Sequence, residues 1–233
     1  MPFVLVTGAS QGIGAAIAKQ FASRMRAKLA LVSRNAANLK VVADQCRVLG
    51  AEPRFYQCDL TRDRDVEHFA LNLLAQQGTP DVLVNNAGLF KPSSVRDTSP
   101  VDFRSQVESN LMTAYTLTHS VLGSMIERGS GHIFFMASVA SIKGYPSGAA
   151  YCAAKHAVLG LSRAIREEVR EHGIKVTAVI PGATYTASWA GSGVPESRFM
   201  PAEDIGKAVV DIYQLGDRSV VEEILIRPQL GDL

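Results

Sequence analysis

The sequence predicts an α/β domain in which a parallel sheet of seven strands is wound by helices on both faces. Two observations lead to this fold class. Short apolar runs of strand length alternate with helical patterns along the whole chain. The length of 233 residues suits one domain, and no linker-like stretch divides it. We therefore expect a single domain over residues 1–233.

The strand-like runs are short and rich in β-branched residues, as buried strands are. Helical patterns fill the intervals between them, and Pro181 closes the sixth run. In such a sheet a ligand lies outside the carboxyl ends of the strands, so the residues that follow each run are the candidates for a site. The runs cover 3–7, 29–33, 54–58, 81–84, 132–137, 174–180 and 220–226.

A glycine-rich turn follows the first run. It contains Gly8, Gly12 and Gly14 and leads into an Ala-rich helical segment that extends to about Arg26. Glycine permits close approach of a ligand, and the N–H groups at a helix N-terminus attract phosphate. The spacing is G-x-x-x-G-x-G rather than the commoner G-x-G-x-x-G. The turn predicts a site for the pyrophosphate of a dinucleotide, with a tight turn that binds nothing as the alternative.

The second run ends at Ser33 and is followed by Arg34. Sites for NAD carry an acidic residue about twenty residues beyond the glycines, where it binds the ribose hydroxyl. Here the position is cationic, and no Asp or Glu occurs between Thr7 and Asp44. A guanidinium group binds phosphate through paired hydrogen bonds. We therefore predict that Arg34 and Ser33 bind the 2′-phosphate of NADP(H); the alternative for Arg34 is a solvated loop charge.

Tyr151 and Lys155 lie four residues apart in a helical pattern that covers 149–171. This spacing is about one helical turn, so both side chains lie on the same face. A neighbouring ammonium group favours the phenolate and lowers the pKa of a tyrosine, which suits proton transfer at neutral pH. We predict that Lys155 lowers the pKa of Tyr151. A chance pair is the alternative when this spacing is considered alone.

Taken together, these motifs resemble those of the short-chain dehydrogenase/reductase family. The resemblance extends from Val4 to about Val221. It implies a Rossmann-type domain and an NADP-preferring carbonyl reductase that transfers hydride between nicotinamide and a carbonyl or alcohol. The motifs that carry it are the turn from Thr7 to Gly14, Asn85-Asn-Ala-Gly88 after the fourth run, Ser138 with Tyr151 and Lys155, and Pro181-Gly182 with Thr186.

The resemblance also implies roles for individual residues. Tyr151 would be the general acid or base, Ser138 would hydrogen-bond the substrate oxygen, and Lys155 would bind the nicotinamide ribose. Asn110 matches the fourth catalytic position and would hold its helix in a kink that positions a water for proton relay; a surface Asn is the alternative. The implied cofactor residues are Gly8, Ser10, Gln11, Gly12, Ile13, Gly14, Ser33, Arg34, Asp59, Leu60, Asn86, Ala87, Gly88, Tyr151, Lys155, Pro181, Gly182, Thr184 and Thr186.

Asp59 follows the third run and resembles the residue that hydrogen-bonds the adenine amino group in the family. Because a helical segment begins a few residues later, a helix N-cap is the alternative for this carboxylate.

The substrate is less constrained than the cofactor. The segment 187–200, where the family has its substrate loop, is short and rich in Gly, Ser and Ala, with Trp189 and Phe199 as its aromatic residues. Asp232 would meet an amino-bearing substrate if the end of the chain folds back. A 3-oxoacyl group, a sugar, a steroid and a pterin such as sepiapterin all stay open, as does a protein that senses NADP without turnover.

Composition argues against other classes of protein. The net charge is +2, basic residues are interleaved with acidic ones, and nucleic acid is not expected as a partner. Three cysteines without C-x-x-C spacing predict neither a disulfide framework nor a zinc site, and no metal is expected. Apolar runs stay below the roughly 20 residues that span a bilayer. We expect a soluble, cytoplasmic protein without a membrane partner.

The resemblance further implies a homo-oligomer, either a tetramer or a dimer, in which the helices at about 101–127 and 149–171 pair. Five apolar positions on these helices serve either the core or such an interface, and we favour the core for most of them. They are Leu111, Leu117, Val121, Val158 and Leu161.

Overall fold

The computed structural model describes residues 1–189 and 191–233, without the side chain of Ser188. Within these residues seven parallel strands form one sheet in the order β3-β2-β1-β4-β5-β6-β7. The predicted substrate loop includes residue 190, which lies outside the described residues. The strands are β1 (Phe3–Thr7), β2 (Lys28–Ser33), β3 (Glu52–Gln57), β4 (Val82–Asn85), β5 (Gly131–Met136), β6 (Ile174–Pro181) and β7 (Glu223–Ile226).

Helices cover both faces of this sheet. Alternate residues of β1 separate the two layers: Val4 and Val6 face one core, and Leu5 faces the other. The first core includes residues of α1, α2 and α7, and the second includes residues of α3, α5 and α6. The doubly wound, Rossmann-type α/β fold is thereby confirmed. The helices are α1 (Gly12–Met25), α2 (Ala36–Val48), α3 (Asp63–Gln77), α4 (Pro100–Val107), α5 (Thr113–Arg128), α6 (Ala149–Val169) and α7 (Ala202–Tyr213).

Most bounds differ from the predicted ones by one or two residues, and two elements differ more. The helix expected over 101–127 is interrupted by a π-helical turn, Glu108–Met112, between α4 and α5. The seventh strand was expected over 220–226 but begins only at Glu223. Before that residue the chain is joined to the neighbouring strand by a side chain, since the Thr177 hydroxyl donates to the carbonyl oxygen of Val221 at 2.6 Å.

The apolar positions assigned to the core lie there. Leu117, Val121 and Val158 are buried in the core between α3, α5, α6 and the sheet, and Leu111 and Leu161 are partly buried against it. No helix among the described residues is both long and apolar enough to cross a membrane.

Candidate active site

A cavity of about 640 Å³ lies at the carboxyl edge of the sheet, where a parallel sheet binds its ligands. It extends from Arg34 and Asp59, beyond β2 and β3, to Tyr151 and Trp189. All four predicted catalytic residues line it: Asn110, Ser138, Tyr151 and Lys155. Of the predicted cofactor residues, those that line it are Gly8, Ser10, Gln11, Gly12, Ile13, Ser33, Arg34, Asp59, Leu60, Asn86, Ala87, Gly88, Tyr151, Lys155, Pro181, Gly182, Thr184 and Thr186.

Gly14 is the exception, since it does not line this cavity, and its assignment as a cofactor residue stays a prediction. It is buried in α1, and a Cβ at this position would lie 2.5 Å from the carbonyl oxygen of Gly8 and 2.5 Å from Nδ2 of Asn86. Gly14 therefore permits the helix to pack against the turn. Gly8 and Gly12 have φ angles of +62° and +56°, a region that favours glycine.

The Thr7 hydroxyl joins the glycine turn to the loop after β4. Its Oγ1 accepts hydrogen bonds from the N–H groups of Asn86 and Ala87, both at 2.9 Å, and donates to the carbonyl oxygen of Val84 at 3.2 Å. In return, Nδ2 of Asn86 donates to the carbonyl oxygen of Thr7 at 3.0 Å. Sequence reasoning placed Thr7 in the motif but missed this role. The feature that could have revealed this role is the hydroxyl of Thr7 at the end of an otherwise apolar strand.

Arg34 is exposed at the rim of the cavity, and no described carboxylate lies within ion-pair distance of its guanidinium group. The neighbouring Ser33 hydroxyl donates to Oγ of Ser10 at 2.9 Å, which joins the second strand to the glycine turn. The cation thus remains available to an anionic ligand. This geometry agrees with the predicted phosphate site.

Asp59 does not cap the following helix, so the N-cap alternative is wrong. Helix α3 begins at Asp63, with Arg62 as its N-cap residue. The Asp59 carboxylate instead accepts hydrogen bonds from the N–H of Thr61 at 3.2 Å and from its hydroxyl at 2.8 Å. These bonds hold the pKa of Asp59 below its ordinary value. An ionised acceptor therefore faces the cavity next to Leu60.

Ser138 is held by a short helical turn at the end of β5. Its Oγ accepts from the N–H of Ala140 at 3.1 Å, and Ser141 Oγ accepts from the N–H of Ser138 at 3.2 Å. This reciprocal capping box fixes the hydroxyl at the cavity wall. The phenol of Tyr151, in the first turn of α6, lies close enough for the Ser138 hydroxyl to affect its pKa.

The pKa of Tyr151 is raised to about 12, because burial of the phenol outweighs the opposing effect of the Ser138 hydroxyl. Lys155 is only 4% exposed. Its Nζ donates to the carbonyl oxygen of Met136 at 2.8 Å and lies 5.7 Å from the centroid of the Tyr151 ring. Burial lowers the pKa of Lys155 to about 8. The prediction that Tyr151 has a lowered pKa is therefore wrong for this structure, and the phenol is protonated at neutral pH.

Asn110 lies in the π-helical turn, and its side chain explains that turn. Its Nδ2 donates to the carbonyl oxygen of Gln106 at 2.8 Å, a backbone acceptor of the preceding turn. A side chain that inserts into the helical hydrogen-bond ladder in this way can kink the helix. Asn110 is 2% exposed and lies in the π-helical turn, so the surface alternative is wrong, whereas the kink and the water that it would position stay predictions. Gly88 lies so close that a Cβ there would be 2.6 Å from Oδ1 of Asn110.

Aromatic side chains surround the end of the cavity that contains Tyr151. The Phe90 ring centroid lies 4.9 Å from that of Tyr151 and 6.3 Å from that of Tyr145, and Trp189 lies 4.9 Å from Phe199. Sequence reasoning named Trp189 and Phe199 but missed Phe90 and Tyr145. The position of Phe90, directly after the Asn-Asn-Ala-Gly loop, was the signal that could have found it.

The segment after β7 folds back to the cavity, as the hypothesis for Asp232 required, and Asp232 lines the wall. Its carboxylate is already engaged, since Oδ2 lies 2.6 Å from Nη2 of Arg227 and 3.1 Å from Nζ of Lys143. These two cations hold the pKa of Asp232 below its ordinary value. The carboxylate charge is thus balanced within the chain, and an amino-bearing substrate would compete with both cations.

Comparison with known proteins places this geometry in a family. The family model for short chain dehydrogenases matches residues 2–194. Sepiapterin reductase of Chlorobaculum tepidum is 36% identical over 237 residues, which cover 99% of this chain and 97% of the relative. A 3-oxoacyl-[acyl-carrier-protein] reductase of Chlamydia muridarum is 31% identical over 216 residues and covers 88% of this chain and 87% of its own length.

Solved structures agree with this result. A metagenomic short-chain oxidoreductase in complex with NADP has a TM-score of 0.87 and 32% identity, with 98% of this chain and 97% of that chain covered. An alcohol dehydrogenase from Thermococcus sibiricus, complexed with 5-hydroxy-NADP, has a TM-score of 0.92 and 28% identity over 100% of this chain and 99% of the other. On its fold, its site and these matches, the chain belongs to the short-chain dehydrogenase family of oxidoreductases.

Proposed function

We propose that the protein is an NADP(H)-dependent carbonyl reductase. The observation that carries the proposal is the convergence of Ser138, Tyr151 and Lys155 at one end of a cavity whose other end is formed by the glycine turn and Arg34. When bound, the nicotinamide supplies or accepts the hydride. The chain has to hold that cofactor, orient a carbonyl and provide a proton.

The residues at the rim fit a phosphorylated dinucleotide. The glycine turn offers N–H groups at the start of α1, where the helix dipole favours a pyrophosphate. Arg34 offers a guanidinium group that no described carboxylate neutralises by an ion pair, and Ser33 offers a hydroxyl beside it. Two structures similar to this chain contain NADP or a derivative of it. These observations support NADP(H) over NAD(H) as the cofactor.

The proton donor is Tyr151. Because burial keeps its pKa at about 12, the phenol carries its proton at neutral pH and can donate it to the carbonyl oxygen during reduction. The fixed hydroxyl of Ser138 orients that oxygen. Lys155, whose pKa burial lowers to about 8, exchanges protons near neutral pH and can return one to Tyr151. The buried position of Asn110 in the π-helical turn supports the water relay that the family resemblance implies.

A specific observation favours a planar, aromatic carbonyl compound as substrate, and a pterin such as sepiapterin as its concrete form. Phe90, Tyr145 and Trp189 line the cavity, and the Phe90 ring lies beside both Tyr151 and Tyr145. Flat substrates stack on such rings. The similarity to the sepiapterin reductase of Chlorobaculum tepidum supports the same substrate class. The similarity to 3-oxoacyl reductases supports the acyl alternative. A homo-oligomeric state and a cytoplasmic location stay predictions.

The test begins with titration of the purified protein with NADPH and NADH by fluorescence. NADPH oxidation is then followed by absorbance against diketones, 3-oxoacyl compounds and sepiapterin. Tyr151→Phe removes the proton donor and should lower kcat by about a hundredfold or more while the Kd for NADPH stays within about twofold. Tyr115→Phe, an exposed phenol on α5 outside the cavity, is the matched control and should leave both unchanged.

Two results would contradict the proposal. Tight binding of NADPH without turnover of any of these carbonyl compounds would favour the sensor alternative. Full activity of Tyr151→Phe would show that the proton comes from another group.

A further inference from the structure

Three polar side chains of α4 and the π-helical turn after it lie four residues apart and face the loop that follows β4. They are Asp102, Gln106 and Asn110. Residues at this spacing lie above one another on one face of a helix. Four helical residues rise about 6 Å, which is close to the roughly 6.6 Å of two extended residues. Side chains at this spacing can therefore form hydrogen bonds with the backbone of every second residue in an extended segment.

Gln106 and Asn110 form such pairs. Nε2 of Gln106 donates to the carbonyl oxygen of Lys91 at 3.0 Å, and its Oε1 accepts from the N–H of Lys91 at 3.2 Å. Asn110 repeats the pattern with Leu89, at 2.8 Å and 3.3 Å. Each side-chain amide thus donates one hydrogen bond to the carbonyl oxygen of a loop residue and accepts one from the N–H of the same residue. A residue of a neighbouring β-strand forms the same pair of bonds. The two amides hold residues 89–91 in place of a strand partner.

Phe90 lies between the two paired residues, so in an extended segment its side chain points to the opposite face from those of Leu89 and Lys91. Its ring lines the cavity and lies 4.9 Å from the Tyr151 ring, centroid to centroid. Gln106 itself is 3% exposed and is not among the residues that line the cavity. Its influence on a substrate must therefore pass through the main chain of Lys91 to the Phe90 ring.

We propose that Gln106 is a positioning residue that determines the affinity for aromatic carbonyl substrates by holding Phe90 beside Tyr151. The inference rests on the proposed function. The ion pair between Lys91 Nζ and Asp102 Oδ1, at 2.7 Å, joins the same loop and helix, but both side chains are well exposed. Exposed ion pairs contribute little. The buried amide of Gln106 is the contact that fixes the loop.

The test compares Gln106→Met, which keeps the length of the side chain and removes both hydrogen bonds, with Asp102→Asn as the matched control. With 1-phenyl-1,2-propanedione as substrate, Gln106→Met should raise KM on the order of fivefold, the factor that one aromatic contact contributes. KM for 2,3-butanedione and the Kd for NADPH should change by less than about twofold, because neither depends on the Phe90 ring. Asp102→Asn should leave all three near the wild-type values.

A double variant tests whether the effect passes through Phe90. Phe90→Ala should by itself raise KM for the aromatic diketone, and Gln106→Met should add nothing in that background. Additive effects of the two substitutions would overturn the proposal. So would an unchanged KM for the aromatic diketone in Gln106→Met.

Fluorine NMR supplies a readout that does not depend on activity. In protein labelled with 4-fluorophenylalanine, the Phe90 resonance is assigned by its loss in Phe90→Leu. Gln106→Met should shift or broaden this resonance, and Asp102→Asn should not. Absence of turnover in the wild-type protein would contradict the proposed function, whereas normal turnover with an unmoved Phe90 resonance in Gln106→Met would contradict the role of Gln106.

Discussion

Replacing Thr7 with Val should destabilise the protein through the loss of a single hydroxyl group. Thr7 is 1% exposed, and its Oγ1 is the acceptor for the N–H groups of Asn86 and Ala87 and a donor to Val84. Val has nearly the same shape but cannot form these bonds. The Ala87 N–H would lose its acceptor at the junction of β1 and β4, and the Asn86 N–H would keep only its bond to the carbonyl oxygen of Val84, at 3.1 Å.

The expected cost follows from these bonds. A polar group that loses its partner in the interior costs about 1–3 kcal/mol. Since Ala87 is only half-buried and Asn86 keeps its bond to Val84, the lower part of that range applies, and we expect the free energy of unfolding to fall by about 2 kcal/mol in total. With a urea m-value of about 3 kcal/mol per molar, the unfolding midpoint would fall by about 0.7 M.

Urea unfolding followed by circular dichroism measures this change, and Thr7→Ser is the matched control. Ser keeps the hydroxyl and loses one methyl group, so its cost should be about 1 kcal/mol. The reasoning is refuted if Val costs no more than Ser, because the hydroxyl would then contribute nothing to the junction.

Two further predictions concern charge. Arg34→Ala should raise the Kd for NADPH about tenfold or more, which is the effect of losing a charge-assisted contact to phosphate. The Kd for NADH should stay within about twofold. Equal losses of affinity for both cofactors in the fluorescence titration would exclude a contact with the 2′-phosphate. His132 has a pKa lowered to about 3 by burial, so its contribution to stability is present above the ordinary pKa of about 6.5 and is lost as the pH falls towards 3. When the pH is lowered from 7 to 5, the wild type should therefore lose about 2 kcal/mol more of its unfolding free energy than His132→Asn does. An identical loss in both proteins would contradict the lowered pKa of His132.

The strands and the cofactor end of the cavity were predictable because their signals are local. The run from Phe3 to Thr7 is apolar at every position, as a strand buried on both faces must be. The order of strands and glycines then places the turn at the carboxyl edge of the sheet. Such features depend on a few consecutive residues, and the bounds of the first strand were predicted correctly.

The remaining features depend on contacts between residues far apart in the sequence. Gly14 has the spacing of a ligand-binding glycine, yet its neighbours are Gly8 and Asn86, and no local pattern reveals a partner from another strand. The pairing of Gln106 with Lys91 is hidden for the same reason, because a buried Gln in a helix looks like any polar residue until the facing loop is known. The spacing of residues in the sequence shows which side chains share one face of a helix or strand. It does not identify the residues against which that face packs.

The pair Tyr151 and Lys155 shows how such contacts can reverse an electrostatic expectation. A spacing of four residues predicts that the ammonium group favours the phenolate, but the Lys155 Nζ donates to Met136 O, and burial penalises the charged form of both side chains. Desolvation therefore moves the two pKa values apart, up for the phenol and down for the ammonium. A site with these properties keeps its proton on Tyr151 at neutral pH, which is the state that carbonyl reduction requires; alcohol oxidation would need the phenolate and should be favoured only as the pH rises.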